Sequence, residues 1–242
     1  MGKVVLVTGG SSGIGEACVR LFASRGYDVV INYNSNEEKT RGIALDIEEE
    51  YGISTLCIKA DVSDEVQVKE MVEKVILEFG HIEVLVNNAG IAIDSDFTDK
   101  TVSNFKRILD VNLIGPFLVS KYVFPYMTKG SSIVNVGSNA GIDNNYQYSM
   151  DYDASKAGVH MLTKDLAIEF GPEVRVNAVA PGWVNTPMNK ELDADYIKEE
   201  QRKIVMERFA DPKEIAKVIY FLASDEASYI NGSVIVVDGG RK

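Results

Sequence analysis

A chain of 242 residues with 45% hydrophobic and 25% charged side chains can bury a full core, and a single α/β domain is the default at that size. A formal net charge of -11 and a pI near 4.8 exclude nucleic acid and anionic membranes as partners, because no basic stripe exists to neutralise phosphates. Cys18 and Cys57 are too few for a disulfide framework and too distant for a metal-ligand pair, which predicts free buried thiols in a reducing cytoplasm; no leader follows Met1, and no apolar run reaches membrane-spanning length.

Short apolar runs alternate with segments of helical period. Strands are predicted near 3–8, 28–33, 54–60, 82–87, 132–137, 174–180 and 233–237, and helices over 14–25, 37–51, 64–79, 104–128, 153–170 and 212–223. Such alternation implies a doubly wound parallel sheet of seven strands with helices on both faces, reached by right-handed crossovers. No repeat, low-complexity tract or linker divides it. The one long irregular stretch, roughly 183–210, is polar and charged and sits where such folds carry a lid.

The first strand runs directly into four glycines, Gly9, Gly10, Gly13 and Gly15, in "VTGGSSGIG". Glycine would only weaken a strand, so the cluster makes sense as a sharp turn that clears space and then enters a helix at its exposed N-terminus. Unpaired N–H groups and the positive end of the helix dipole there suit a pyrophosphate. The spacing Gly9-x-x-x-Gly13-x-Gly15 differs from the commoner G-x-G-x-x-G, and a glycine cluster alone is weak.

Other residues add weight. "YDASK" sets Tyr152 and Lys156 four apart on one helix face, where an ammonium can sit beside a phenol. With 11 Tyr in the chain, such a pair is expected about once by chance, so it says little alone. Ser138 supplies the context, because it ends a predicted strand at the same sheet edge as the glycine turn. Tyr146 and Tyr148, in the loop before the pair, read as pocket walls, whereas His81 and His160 have no partner spacing and read as ordinary surface or helix residues.

"TGGSSGIG", "DV" at 61–62, "NNAG" at 87–90, Asn112 in "LDVNLIGPF", Ser138, Tyr152 with Lys156, "APGWVNTPM" at 180–188 and "VDGG" at 237–240 occur together and in this order. In that combination the whole chain resembles the short-chain dehydrogenase/reductases. The resemblance implies a Rossmann-type sheet, a nicotinamide dinucleotide cofactor and a Ser138–Tyr152–Lys156 centre supported by Asn112. The cofactor-binding set it implies is Gly9, Ser11, Ser12, Gly13, Ile14 and Gly15 in the turn, Tyr33 and Asn34 after the second strand, Asp61 and Val62, Asn88, Ala89 and Gly90, then Tyr152, Lys156, Pro181, Gly182, Val184 and Thr186. Family members commonly assemble as homotetramers through the helix at 113–127 and the catalytic helix, which implies the same here.

Reducing a ketone needs a hydride on carbon and a proton on the developing alkoxide. A phenol of reference pKa about 10 recovers its proton slowly near neutrality, and an ammonium about 4 Å away lowers that value by about three units at most. Tyr152 is therefore the expected general acid and Lys156 its electrostatic partner; by resemblance Lys156 also binds the nicotinamide ribose, Ser138 holds the carbonyl oxygen and Asn112 anchors a relay water.

A carboxylate about twenty residues beyond Gly13 would bind a ribose 2′-OH and repel a 2′-phosphate. Tyr33 and Asn34 stand there instead, which favours NADP(H) over NAD(H), although Ser12 replaces a cation found in phosphate-preferring relatives and Lys39 and Arg41 lie further on. Among family members the nearest resemblance is to 3-oxoacyl-(acyl-carrier-protein) reductases of fatty acid biosynthesis, with sugar and small-alcohol dehydrogenases next and a non-catalytic dinucleotide-binding sensor as a further reading. Docking an acidic acyl carrier protein calls for exposed cations at the entrance; "YMTKGSS" offers Lys129 and "EFGPEVRVN" offers Arg175 among acids, so that patch is thin.

Overall fold

The computed structural model describes residues 2–143, 148–189 and 192–241. Seven parallel strands, β1 (Lys3–Val7), β2 (Tyr27–Tyr33), β3 (Thr55–Lys59), β4 (Val84–Asn87), β5 (Ser132–Val136), β6 (Arg175–Pro181) and β7 (Val234–Val237), form one sheet in the order β3-β2-β1-β4-β5-β6-β7. The winding reverses between β1 and β4, so the carboxyl ends of these neighbours splay their following loops apart and open a crevice.

Alternation along each strand feeds two cores. Val5 and Val7 point to the face covered by α1 (Gly13–Ala23), α2 (Glu37–Tyr51) and α8 (Pro212–Ala223), where Phe22 packs edge-on against Tyr27 at 5.1 Å between ring centroids. Val4 and Leu6 point to the opposite face, covered by α3 (Glu65–Phe79), α5 (Gly115–Val123) and α6 (Met150–Phe170). Both faces being dry explains why these strands read as unbroken apolar runs.

A buried polar chain crosses the second core. Asn87 of β4 donates to Ser120 Oγ of α5 at 3.0 Å and to Asn135 Oδ1 of β5 at 2.9 Å; Asn135 donates to Thr163 Oγ1 of α6 at 2.9 Å, and Thr163 donates to the Val159 carbonyl at 2.7 Å. Each link fixes a helix against the sheet at one height.

The predicted helix over 104–128 is a composite: α4 (Val102–Leu109), a π-helical turn at Asp110–Ile114, then α5 with Pro116 in its first turn. Taken as one run, Val102–Tyr126 is long and apolar enough to cross a membrane, contrary to the sequence expectation; half of its most apolar window is buried inside the fold, as for a core helix. The predicted irregular stretch at 183–210 also holds a helix, α7 (Ala194–Arg202), capped by the Asp193 side chain, which accepts from the N–H groups of Asp195 and Tyr196. Helix α6 begins three residues before the predicted start, which places Tyr152 inside its first turn.

Candidate active site at the sheet switch point

The turn after β1 is built for close approach. Gly9 and Gly13 hold φ of +62° and +54°, a left-handed region that strains any other residue, and a Cβ at Gly13 would press on Thr186 Cγ2 at 3.0 Å. Gly15 serves packing instead: a Cβ there would collide with the Gly9 carbonyl, and Gly15 does not line the crevice. Ser12 caps α1 by position, yet its side chain makes no capping bond, leaving the first N–H groups of the helix facing the turn. Thr8 Oγ1 accepts from the N–H groups of Asn88 and Ala89 at 3.0 and 3.1 Å, and Asn88 Nδ2 donates to the Thr8 and Gly9 carbonyls, so the loop after β4 is stapled to the glycine turn.

The crevice, about 1000 Å³, brings together Gly9, Ser11, Ser12, Gly13, Ile14, Asn34, Asp61, Val62, Asn88, Ala89, Gly90, Ser138, Tyr152, Lys156, Pro181, Gly182, Val184 and Thr186. Tyr33 does not belong to it. Its side chain is buried, and Asn34, Ser35 and Asn36 line the wall beyond β2. Lys39 and Arg41, the cations nearest in sequence, are paired with Glu16 and Glu37 at 2.9 Å each.

At the other end, Lys156 is only 4% exposed; its Nζ donates to the Val136 carbonyl at 2.8 Å and lies 5.5 Å from the centroid of the Tyr152 ring. Burial lowers the Lys156 ammonium to about 8, so at neutral pH it is charged but poised. Ser138 leaves β5 as the cap of a short 3-10 turn, its Oγ accepting from the Ala140 N–H at 3.2 Å. Asn112 is fully buried and does not face the crevice. Its Oδ1 accepts from the Ile91 N–H at 2.8 Å, and its Nδ2 donates to the Ile91 carbonyl at 2.9 Å and to Ser155 Oγ at 3.1 Å. With both amide hydrogens engaged, this side chain clamps the loop after β4 to α6.

Several contributors had no sequence signal beyond their type. Arg107 of α4 reaches the crevice and bonds Asp61 Oδ2 at 2.8 Å and Ser63 Oγ at 2.7 Å. Burial alone would raise the Asp61 carboxyl, but hydrogen bonds from Ser63 and the Arg107 guanidinium outweigh it and hold Asp61 below the usual range. On the substrate side Trp183 stacks on Phe209 at 5.3 Å and donates from Nε1 to Glu200 Oε2 at 3.0 Å; Glu200, 3% exposed, also accepts from Lys203 at 2.6 Å. Tyr148 lines the crevice, whereas Tyr146 lies outside the described residues. His81 bonds the Phe79 and Gly2 carbonyls, far from the site, but His160 is buried against the Ser138 turn rather than at the surface. Arg175 is unavailable for docking a partner, because its guanidinium caps carbonyls at the end of α8, including Leu222 at 2.8 Å and Ser224 at 2.9 Å. Cys18 and Cys57 are free thiols, and no group of metal-ligand type occurs among the described residues.

Comparison with known proteins agrees with this geometry over the full chain. A family described as "Enoyl-(Acyl carrier protein) reductase" matches residues 9–242. A 3-oxoacyl-(acyl-carrier-protein) reductase of Thermotoga maritima is 44% identical over 99% of this chain and 97% of its own length, and a 3beta-hydroxysteroid dehydrogenase of Eggerthella lenta is 39% identical over 99% and 93%. A short-chain dehydrogenase of Burkholderia cenocepacia solved in complex with NADP superposes with a TM-score of 0.94 at 32% identity, over 99% of this chain and 98% of that one. With a reversed-winding parallel sheet, a glycine cradle at its switch point and Ser138, Tyr152 and Lys156 at the far end of one crevice, the chain belongs to the short-chain dehydrogenase/reductase family.

Proposed function

We propose that the protein is an NADP(H)-dependent reductase that converts a ketone to a secondary alcohol, with a 3-oxoacyl thioester as substrate. The observation that carries this reading is the buried Lys156 ammonium beside the Tyr152 ring, in the same crevice as the glycine cradle. The cradle left by Gly9 and Gly13 fits a pyrophosphate, Asp61 and Val62 fit the adenine end, and Gly90 lines the crevice beside Lys156 where the ribose would lie. The bound nicotinamide supplies the hydride. Tyr152 gives its proton to the developing alkoxide, Ser138 holds the same oxygen, and the positive charge of Lys156 stabilises the phenolate left behind.

The absence of a carboxylate where Asn34, Ser35 and Asn36 line the crevice supports NADP(H). Asn34→Asp is expected to weaken NADPH and favour NADH, moving the ratio of kcat/KM values by about tenfold or more through repulsion of the 2′-phosphate. An unchanged ratio places the phosphate elsewhere.

Reduction of acetoacetyl thioesters by NADPH tests the substrate. Because Arg175 is engaged and Lys129 stands apart from it in sequence, the carrier-linked form is expected to exceed a small-thiol analogue by under about tenfold in kcat/KM, with weak salt dependence. Activity on sugars or diketones with none on thioesters would transfer the protein to the alternative class.

Phe117 of α5 and Met161 and Ile168 of α6 are exposed apolar side chains on the helices that pair in family members, which supports a homotetramer. Light scattering behind size exclusion should return four times the 26.6 kDa chain mass. The free thiols support a cytoplasmic setting.

A further inference from the structure

The geometry points to His160 as a positioning residue that holds Ser138 by its backbone, and does so only as the neutral imidazole. This rests on the reading of Ser138 as the group that holds the substrate oxygen. The last N–H at the end of β5 with a sheet acceptor is that of Gly137, which donates to the Val179 carbonyl at 2.8 Å. The next, that of Ser138, is buried and points away from the sheet, where an unpaired donor would be costly. Its partner is His160 Nε2, at 3.4 Å.

The surrounding residues are shaped to this contact. His160 lies on α6 one turn after Lys156 and is 7% exposed. A Cβ at Gly137 would collide with Nε2, and one at Gly141 would collide with the α6 backbone at Lys156 and Ala157 and reach Cε1 at 3.0 Å, so glycine lets the turn that carries Ser138 close onto α6 and the ring. The Gly141 backbone also lies close to the ring, at the other end of the turn. One helix therefore places Tyr152 and Lys156 directly and Ser138 through His160.

An Nε2 that accepts requires the ring proton on Nδ1; a protonated ring would set one N–H against another. Burial disfavours the charged ring most, the Gly141 backbone favours it, and Lys156 and Lys164 from the same helix disfavour it, with the balance below the ordinary value of 6.5. The Ser138 turn, which packs over the ring, presents Gly137, Ser138 and Gly141, none of them titratable. The ring is thus neutral at pH 7, and acid would release Ser138.

The test compares His160→Leu, His160→Gln, Ser138→Ala and the Leu/Ala double variant, reading kcat from pH 5 to 8, the NADPH dissociation constant by fluorescence, and thermal melting. His160→Leu should lower kcat about tenfold or more with NADPH affinity within about twofold, since only the substrate-holding group moves. His160→Gln, which presents an acceptor that does not titrate, should restore kcat to within about threefold and flatten the acid limb of the profile. Ser138→Ala should cost less in the Leu background than in the natural chain. Native kcat in His160→Leu beside a damaged Ser138→Ala overturns the inference while leaving Ser138 in place; native kcat in Ser138→Ala overturns the reading beneath it. Should the Leu variant fail to fold, the Gln variant decides alone, and an acid limb unchanged from the natural protein overturns the proposal.

Discussion

Tyr152→Phe is expected to remove about three or more decades of turnover while leaving NADPH binding near normal. The substitution deletes one hydroxyl from a ring whose position is set elsewhere: its backbone N–H bonds Asp151 Oδ1 at 3.1 Å, and its carbonyl accepts from Ser155 Oγ at 2.6 Å. Those contacts survive in phenylalanine, so α6 keeps its start and Lys156 its place. What disappears is the proton donor. A single-turnover measurement with saturating NADPH separates the outcomes, and retention of more than a tenth of the natural rate would remove Tyr152 from its role.

Lys156→Met should do two opposite things. Turnover should fall by about two or more decades, because the charge that stabilises the Tyr152 phenolate is gone, and NADPH should bind more weakly through loss of the ribose contact. Stability should nevertheless rise. Burial lowers Lys156 from 10.5 to about 8, so the unfolded chain holds this proton more tightly than the native one and the native ammonium is a liability of about 3 kcal/mol at most. Losing the bond to the Val136 carbonyl returns about 1 kcal/mol of that. The net gain of about 2 kcal/mol at most corresponds to a rise in Tm of about 4–8 °C for a chain of this size. The sign fixes its pH dependence: the penalty is complete below about pH 8 and fades between 8 and 10.5, where the native protein sheds a proton that the unfolded chain keeps. Calorimetry of the cofactor-free protein at pH 7 and pH 10 should show the methionine advantage at the lower pH and its loss at the higher. A destabilised variant at pH 7 would mean that Lys156 is better compensated than its burial indicates.

The inner strands were legible because they are dry on both faces, which leaves apolar runs in the sequence, and the partly exposed edge strands β3 and β7 still read as short β-favouring runs. Helix α7 was not, since it is only nine residues long and mostly polar, and its buried residue is Glu200 rather than an apolar side chain. The N-cap Asp193 was the signal available. At the end of β2 the segment was found but not its facing: strands alternate sides, so one residue decides whether Tyr33 or Asn34 meets the crevice, and the sequence pattern does not resolve that parity at a strand end. Asn112 was recognised by its surroundings, yet its clamp on Ile91 and Ser155 depends on a π-helical turn that no spacing announces. His160 has no signal in the sequence because its partner is a backbone N–H 22 positions away, and backbone groups leave no mark there.

The buried chain from Ser120 through Asn87 and Asn135 to Thr163 couples β4 and β5 to α5 and α6. Each of these side chains satisfies another, so replacing one strands its neighbour in the interior at about 1–3 kcal/mol, and a viable change has to come in pairs. Met188, Leu192 and Tyr196 also line the crevice, but they take no part in that chain. Substrate range can therefore drift through exchanges in the segment around α7 while the pitch of the catalytic helix stays locked. For an engineer, that segment is the cassette to replace, and the asparagine row is the chassis to leave alone.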